Sequence, residues 1–338
     1  MKIMNKASTR GKIGFLAVLT IITLVFPLVV KNQYIVRMGT LSLMYVGLSF
    51  SLNFVTGFLG QVSLGHAAFL GIGAYTSAIL SERLELPFLV TALMAMLVSA
   101  FFGMLLGIPA LHLSGSYLSI VTLGFCEIVR IVELNWVSLT RGPMGITGIA
   151  RPNIFGIQIK SVASYYYLCL FLVAIIGVII ANILNSHVGR GIMSVREDSI
   201  AAAAMGVNVF RYKVMTFTIS AAFAGLMGAF YAHYMLFIDP SSFNFDQSLT
   251  ILSMVILGGL GSLPGSVIGA LLLSIVPELL RGLAEARMLF YGLALTFMMI
   301  LRPQGLLGRV TLYQLLGIKK KFAPPPAVNT SRPTDEMV

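Results

Sequence analysis

Long apolar stretches, separated by short polar or glycine-rich segments, run along most of the chain. Those at 13–30, 86–111 and 162–184 are nearly free of charge. Each reaches the roughly 20 residues that a helix needs to cross a bilayer. The pattern predicts an all-α, polytopic helical membrane protein. Its candidate crossings are 12–30, 38–58, 64–80, 87–112, 116–137, 162–185, 214–237, 247–260, 264–280 and 287–301.

Some of these ten segments are short or interrupted by glycine, namely 64–80 and the pair within 247–280. Helices broken in this way can be discontinuous or re-entrant where they face protein or a water-filled path. We therefore expect 8 to 10 membrane segments. The sequence leaves open whether 247–280 crosses twice or forms one re-entrant hairpin.

Composition and charge agree with a membrane location. Of the 338 residues, 57% are apolar and 10% are charged, and the mean hydropathy is +0.92, whereas soluble domains carry roughly 25% charged residues. The net charge of +11 comes from Lys and Arg at the ends of apolar segments, which favours a topological role over a nucleic-acid partner. More of these residues fall in the predicted inner segments, so we expect both termini in the cytoplasm.

The domain organisation follows from the same pattern. Residues 1–311 are predicted to form a single transmembrane domain with one long cytoplasmic loop at about 187–213. Residues 312–338 are basic and rich in proline, and we predict a disordered cytoplasmic tail.

Motifs for catalysis and nucleotide binding do not occur. The chain contains no H-E-x-x-H, no G-x-S-x-G and no G-x-x-x-x-G-K-[ST], so no catalytic residue and no metal site is predicted. If ATP drives this protein, another chain hydrolyses it. Cys126 and Cys169 lie in apolar stretches, and we expect them to be buried packing residues.

Three features go beyond a generic helical bundle. The first is the loop at 187–213, in which a charged triplet is followed by small residues that favour a short helix and a glycine that favours its end. It either docks a partner or is a solvated connector. Its candidate residues are Arg196, Glu197, Asp198, Ala201, Ala202, Ala203, Ala204 and Gly206.

The second feature is a pair of glycine-rich breaks about 200 residues apart, each reading G-x-L-G followed by a polar residue. Paired breaks in two halves of a chain indicate discontinuous helices that line a transport path. Glycines also serve close helix contacts, and a chance match is the other interpretation. The candidate path residues are Gly57, Gly60, Gly65, His66, Gly258 and Gly261.

The third feature is the set Glu127, Arg130 and Glu133, spaced three residues apart in an apolar context. Charges within a span are costly unless they are paired, and this spacing lets Arg130 reach either carboxylate. The set is either a polar element that faces the path or a partner subunit, or an ion pair near the outer interface that sets the helix register.

At these residues the sequence resembles the permease subunits of branched-chain amino-acid ABC transporters, specifically the LivM-like subunit. Eight matching segments occur in the order of the family between about residues 40 and 307. They are GQVSLGHAAF (60–69) with GIGAY (71–75), LSGSY (113–117), TLGF with EI (122–128), GPMGI (142–146), RED with AAAAMG (196–206), ISAAFAG (219–225), LGGLGS (257–262) and RPQGL (302–306).

The resemblance implies partners. A permease of this family pairs with a second, LivH-like permease and with two cytoplasmic ATPase subunits, which bind ATP and Mg²⁺. A periplasmic binding protein delivers the small-molecule substrate. The chain itself would bind no cofactor and would lie in the bacterial inner membrane. The segment after Arg196 resembles the coupling helix that docks on the ATPase.

One position departs from the family pattern. Ile200 stands where the ABC-permease loop has a glutamate six residues before its glycine, so the resemblance implies the docking position rather than a particular ionic contact.

The expected function is therefore half of the translocation path of an importer for branched-chain amino acids. Alternatives are a related importer for urea, short amides or other apolar amino acids, and a stand-alone proton-coupled carrier using Glu127 or Glu133. A membrane-embedded enzyme with a metal near Asp239 and Asp246 is a third class.

Overall fold

The computed structural model describes residues 23–30, 32–108, 115–154 and 157–279, together with Gly292, Thr296, Gly305 and Leu306. Within these ranges the chain is mostly helical, as predicted. A helical segment at 23–29 comes first. The α-helices that follow are α1 (Gln33–Asn53), α2 (His66–Leu84), α3 (Phe88–Gly107), α4 (Ser116–Asn135), α5 (Val137–Thr140), α6 (Val162–Asn185), α7 (His187–Glu197), α8 (Ser199–Ala204), α9 (Val209–Met235), α10 (Phe245–Gly258) and α11 (Leu263–Leu279).

Short non-α elements connect the helices. One π-helical turn and two 3₁₀ turns lie at Phe54–Leu59, Gly142–Met144 and Pro240–Phe243. Four strands, of two residues each, form two antiparallel ribbons that the sequence did not predict, because pairs of residues show no alternation. The strands are β1 (Ile146–Thr147), which pairs with β4 (Phe237–Ile238), and β2 (Asn153–Ile154), which pairs with β3 (Ile157–Gln158).

Among the described residues, four helices are long and apolar enough to cross a membrane. They are α1 with its π-helical extension, α3, α6 and α9. They overlap the predicted segments 38–58, 87–112, 162–185 and 214–237. Helices α1 and α9 each begin five residues earlier than predicted, and α3 ends five residues earlier. The chain therefore has the apolar spans of a polytopic membrane protein.

The first glycine-rich break is shorter than predicted. Gly57 lies inside the π-helical turn, and the chain leaves helical geometry only at Gly60, whose φ of +79° favours glycine. From His66, α2 then runs without interruption for 19 residues. The predicted segment 64–80 is thus one continuous helix, and the break lies before it.

The second break joins α10 and α11 into a tight helical hairpin. A Cβ on Gly258 would overlap the carbonyl of Gly265, and the reverse substitution would overlap the carbonyl of Gly258. The backbones touch there, which only glycine permits. With 14 residues, α10 is about 21 Å long at 1.5 Å per residue, shorter than a hydrocarbon core of about 30 Å.

Small residues allow close backbone contact at the centre of the bundle, where α9 lies against α2 and α3. A Cβ on Gly73 of α2 would overlap the backbone of Gly225 on α9. Gly228 meets the carbonyl of Leu70 in the same way, and Gly103 of α3 lies against Ala221. Because lipid and protein interior are equally apolar, such close backbone approach is a main source of helix association in membranes.

Three predicted features lie outside the described residues. They are residues 12–22 of the first segment, the last segment at 287–301 apart from Gly292 and Thr296, and the tail at 312–338.

The contact between α2 and α9 generates a stability prediction. We expect Gly73→Ala to lower the melting temperature of the detergent-solubilised protein by several degrees, because a Cβ there meets backbone atoms that cannot rotate away. Overpacking of this kind costs about 1–3 kcal/mol. The matched control is Gly124→Ala on α4, where no atom lies within 4 Å. Equal melting temperatures for the two variants would contradict this packing.

Candidate functional site

The two glycine-rich breaks meet at the end of α1, and one buried side chain joins them. Asn53 has no exposed surface. Its Oδ1 accepts a hydrogen bond of 2.9 Å from the backbone N–H of Gly261. Its Nδ2 donates to the carbonyl of Ser262 at 3.0 Å and to Oγ of Ser266 at 2.7 Å. We call this contact, formed by Asn53, Gly57, Gly261, Ser262 and Ser266, the glycine junction.

Glycine is required on both sides of the junction. A Cβ on Gly57 would overlap the Gly261 nitrogen and the Asn53 amide. A Cβ on Gly261 would lie 3.2 Å from the Gly57 carbonyl oxygen, and the φ of Gly261 is +78°. Two segments about 200 residues apart are therefore brought into backbone contact.

Arg196 lies over this junction. A Cβ on Gly60 would lie 2.9 Å from Cγ of Arg196, and a Cβ on Gly261 would lie 2.9 Å from its Nη1. The stem of the side chain thus rests on one break and the guanidinium on the other. Arg196 belongs to the last turn of α7, so the segment at 187–213 is in direct contact with both breaks.

The predicted loop at 187–213 is almost wholly helical, since α7, α8 and the start of α9 fill it. The short helix predicted at the alanine run is α8. Asp198 caps it, because its Oδ1 accepts from the backbone N–H groups of Ile200 at 2.8 Å and Ala201 at 3.0 Å. Gly206, at φ +82°, follows its end. Glu197 lies exposed at the end of α7.

One face of α8 packs inward and the rest is open. Ala202 is 6% exposed, whereas Ala201, Ala203 and Ala204 are exposed. Two larger apolar side chains extend this open surface, since Ile200 is 83% and Met205 85% exposed. The open face of α8 and its end is therefore made of small and apolar side chains.

Gly65 and His66 are buried at the start of α2. His66 is 1% exposed and its Nε2 shares a hydrogen bond of 2.5 Å with Oγ of Ser51 on α1. A Cβ on Gly65 would lie 2.6 Å from the carbonyl oxygen of Thr122 on α4. Both residues therefore fasten the start of α2 to its neighbours.

The predicted ion cluster on α4 is divided. Arg130 pairs with Glu127 at 2.8 Å, and about a third of each side chain is exposed. Glu133 is buried, and neither of its carboxylate oxygens has a hydrogen-bond partner among the described residues. Its neighbours are Gly71 and Tyr75, whose hydroxyl is likewise buried without a partner in that part of the chain.

The remaining candidates do not assemble into a reactive site. Asp239 accepts a hydrogen bond of 2.5 Å from Ser242, and Asp246 lies in the first turn of α10. In the described ranges no three His, Cys, Asp or Glu side chains are placed to share a metal ion. Cys126 and Cys169 are buried and free, as expected for packing residues.

Comparison with known proteins now identifies the family. The model of the family described as "Branched-chain amino acid transport system / permease component" matches residues 34–301. The chain belongs to this permease family. The match covers both glycine-rich breaks, the α4 charges and the α7–α8 segment. It confirms the resemblance to branched-chain amino-acid permeases that the sequence motifs indicated.

Curated relatives agree. The LivM permease protein of a high-affinity branched-chain amino acid transport system from Salmonella typhimurium is 40% identical over 87% of this chain and 74% of that protein. LivM from Escherichia coli is 38% identical over the same shares. LivH from Salmonella typhimurium is 25% identical over 80% of this chain and 93% of that protein. No solved structure matches the chain.

Sequence reasoning missed the residue that joins the permease's two breaks. Asn53 is a polar residue in an apolar stretch, four positions before Gly57 and so on the same helix face. A polar side chain within a membrane helix is by itself a candidate for function. The contact between Arg196 and the breaks carries no sequence signal, because it joins segments that are far apart.

The junction generates a prediction about closure. Asn53→Ala removes the acceptor of the Gly261 N–H, and an unsatisfied buried group costs about 1–3 kcal/mol. The Ser262 carbonyl and the Ser266 hydroxyl keep the hydrogen bond of 3.2 Å that they form with each other. We expect the junction to open more often. In a chain without native cysteines, Ser262→Cys should then react about tenfold faster with a water-soluble thiol reagent.

The matched control for this variant is Ser49→Ala on the same helix. The Ser49 hydroxyl is buried and has no hydrogen-bond partner among the described residues, so its removal should leave the labelling rate unchanged. Equal labelling in the Asn53 variant and the parent chain would show that Asn53 does not hold the junction closed.

Proposed function

We propose that this chain is the LivM-type permease subunit of an ATP-driven importer for branched-chain amino acids. It pairs with a LivH-like permease to enclose the translocation path in the cytoplasmic membrane of a bacterium. Two cytoplasmic ATPase subunits supply the energy and a periplasmic binding protein delivers the substrate. The observation that carries the mechanism is the contact of Arg196 with both glycine-rich breaks.

The ATPases dock, in this proposal, on the exposed surface of α8. Its exposed residues are small or apolar, including Ile200, Ala203 and Met205. A helix of small residues lets another backbone approach closely, and the apolar side chains at its ends supply buried area. This surface suits a mainly apolar contact, which accords with the absence of the glutamate that the general loop pattern places at position 200.

Motion of α8 reaches the path through α7. Asp198 caps α8, and Arg196, two residues before it, rests on Gly60 and Gly261. A shift of the docked segment therefore acts on both sides of the glycine junction through one side chain. The permease pair alternates between a state with this junction closed and one with it open, as ATP binds and is hydrolysed.

Transport of the substrate requires little covalent chemistry from this chain. A zwitterion with an aliphatic side chain needs an apolar passage with a few hydrogen-bonding groups, and the interrupted helices present free backbone N–H and C=O groups. Names of the relatives specify branched-chain amino acids. Urea, short amides and other apolar amino acids are the competing substrates.

One observation favours a second candidate, a proton-coupled carrier. Glu133 is a buried carboxyl group without a hydrogen-bond partner in the described ranges, and such a group in a span is a candidate proton site. Arg130 pairs with Glu127 instead. In this candidate, the chain would transport without ATPase partners.

Reconstitution separates these functions. Vesicles are prepared with the chain, its permease partner, both ATPases and the binding protein. They should accumulate leucine, isoleucine and valine only when ATP is supplied on the side of the membrane where the ATPases lie. Accumulation driven by a pH gradient in vesicles with this chain alone would overturn the importer in favour of the carrier. ATP-driven uptake of urea or amides, without that of leucine, would reassign the substrate.

The docking surface on α8 generates a prediction about coupling. Ala203→Trp places a large side chain on the exposed face, and a mismatch of about 1–3 kcal/mol at a packed interface lowers affinity about tenfold. We expect ATP-driven uptake and substrate-stimulated ATP hydrolysis to fall together. Ala203→Ser, which keeps the size, is the matched control. Wild-type values of both activities in the tryptophan variant would contradict docking at α8.

A further inference from the structure

A cavity of about 840 Å³ lies at the end of the molecule opposite the glycine junction. It lies between α1, α6, α9, α10 and α11 and is closed on one side by the segment that contains the β2–β3 ribbon. The same three helices that form the junction, α1, α10 and α11, contribute their other ends to it. Its position on the predicted outer side is where a substrate would enter.

Three cationic side chains line this cavity. Arg37 comes from the first turn of α1, and Arg151 and Lys160 flank the β2–β3 ribbon. None of them forms an ion pair with a carboxylate in the part of the chain that the structure describes. One carboxylate lines the cavity, Glu278, and it accepts a hydrogen bond from the hydroxyl of Tyr34.

The floor of the cavity is apolar with a few hydrogen-bonding groups above it. Its apolar members are Met38, Leu41, Met254 and Leu273. Tyr45 and Gln247 share a hydrogen bond of 3.2 Å beside them. A cationic rim, one acidic group and an apolar floor are complementary to an aliphatic amino acid, which has a carboxylate, an ammonium and a hydrocarbon side chain.

Below the floor the route is shut. Residues 46–59 of α1 and its extension are all buried, and Asn53 lies eight positions after Tyr45, which is about 12 Å along the helix at 1.5 Å per residue. A buried stretch of α1 thus lies between the cavity and the glycine junction. This arrangement is open on the cavity side and closed on the junction side.

We infer that this cavity is a binding site for the substrate amino acid within the permease itself, with Arg37, Arg151 and Lys160 binding its carboxylate and the apolar floor binding its side chain. The inference rests on the proposed importer function and adds a site to it. The site accepts the amino acid when the binding protein releases it, before the glycine junction opens. Charge-assisted hydrogen bonds to the carboxylate give the site its preference for acids over amides.

The experiment measures leucine binding directly, on the purified complex in lipid nanodiscs without binding protein or nucleotide. We expect radiolabelled leucine to bind, with competition by unlabelled leucine and about tenfold weaker competition by leucinamide, which lacks the carboxylate. Replacing Arg37, Arg151 and Lys160 together by glutamine should weaken leucine binding by about tenfold or more. The matched control is Arg83→Gln, because Arg83 bonds the Ser138 carbonyl on the same predicted side.

A second variant keeps the test decisive if the triple variant does not fold. Leu41→Trp fills the floor of the cavity, and we expect it to weaken the binding of leucine more than that of alanine. Equal leucine affinity in parent, triple and Leu41 variants overturns the site. Weaker docking of the binding protein with unchanged leucine affinity also overturns it, and assigns the cations to that contact.

Failure of this site is distinguishable from failure of the importer function. If the wild-type complex takes up leucine with ATP and the cavity variants do so with unchanged affinity, the site is wrong and the function stands. If the wild-type complex neither binds nor transports leucine under any of these conditions, both the proposed function and the proposed site are wrong.

Discussion

The side chain of one buried asparagine is the interaction on which the rest of this structure depends. Where two helices break inside an apolar bundle, their backbone groups lose intrahelical partners, and no water replaces them. Asn53 supplies an acceptor to Gly261 and a donor to Ser262 and Ser266. These hydrogen bonds satisfy polar groups of the second break when the two breaks meet.

In the proposed mechanism, the ATPases act on this junction from the surface, through α8 and α7. The capped helix α8 presents small and apolar residues to solvent, and Arg196 at the end of α7 touches both breaks. At the opposite end of α1, α10 and α11 lies the cavity that Arg37, Arg151 and Lys160 line. A bundle with a cavity at one end and a junction at the other, joined by the same three helices, has the geometry that alternating access requires.

The sequence predicted this architecture where the signal is local. Uninterrupted apolar stretches predicted α3 and α6, and the alanine run before Gly206 predicted α8. The sequence did not predict contacts between residues that are far apart along the chain. Gly57 lies against the backbone of Gly261, about 200 residues away, which local pattern cannot show. The division of the α4 charges likewise depends on tertiary burial, since spacing alone allowed Arg130 to reach either glutamate.

The most direct test of the account is the distance between the two breaks during the transport cycle. Spin labels at Val62 and Leu260, in a complex without native cysteines, should give one distance distribution without nucleotide and a different one when the ATPases are trapped after ATP binding. Replacing Arg196 by alanine should remove that difference while nucleotide still binds. An identical distribution in both nucleotide states, in a complex that still transports, would contradict the account.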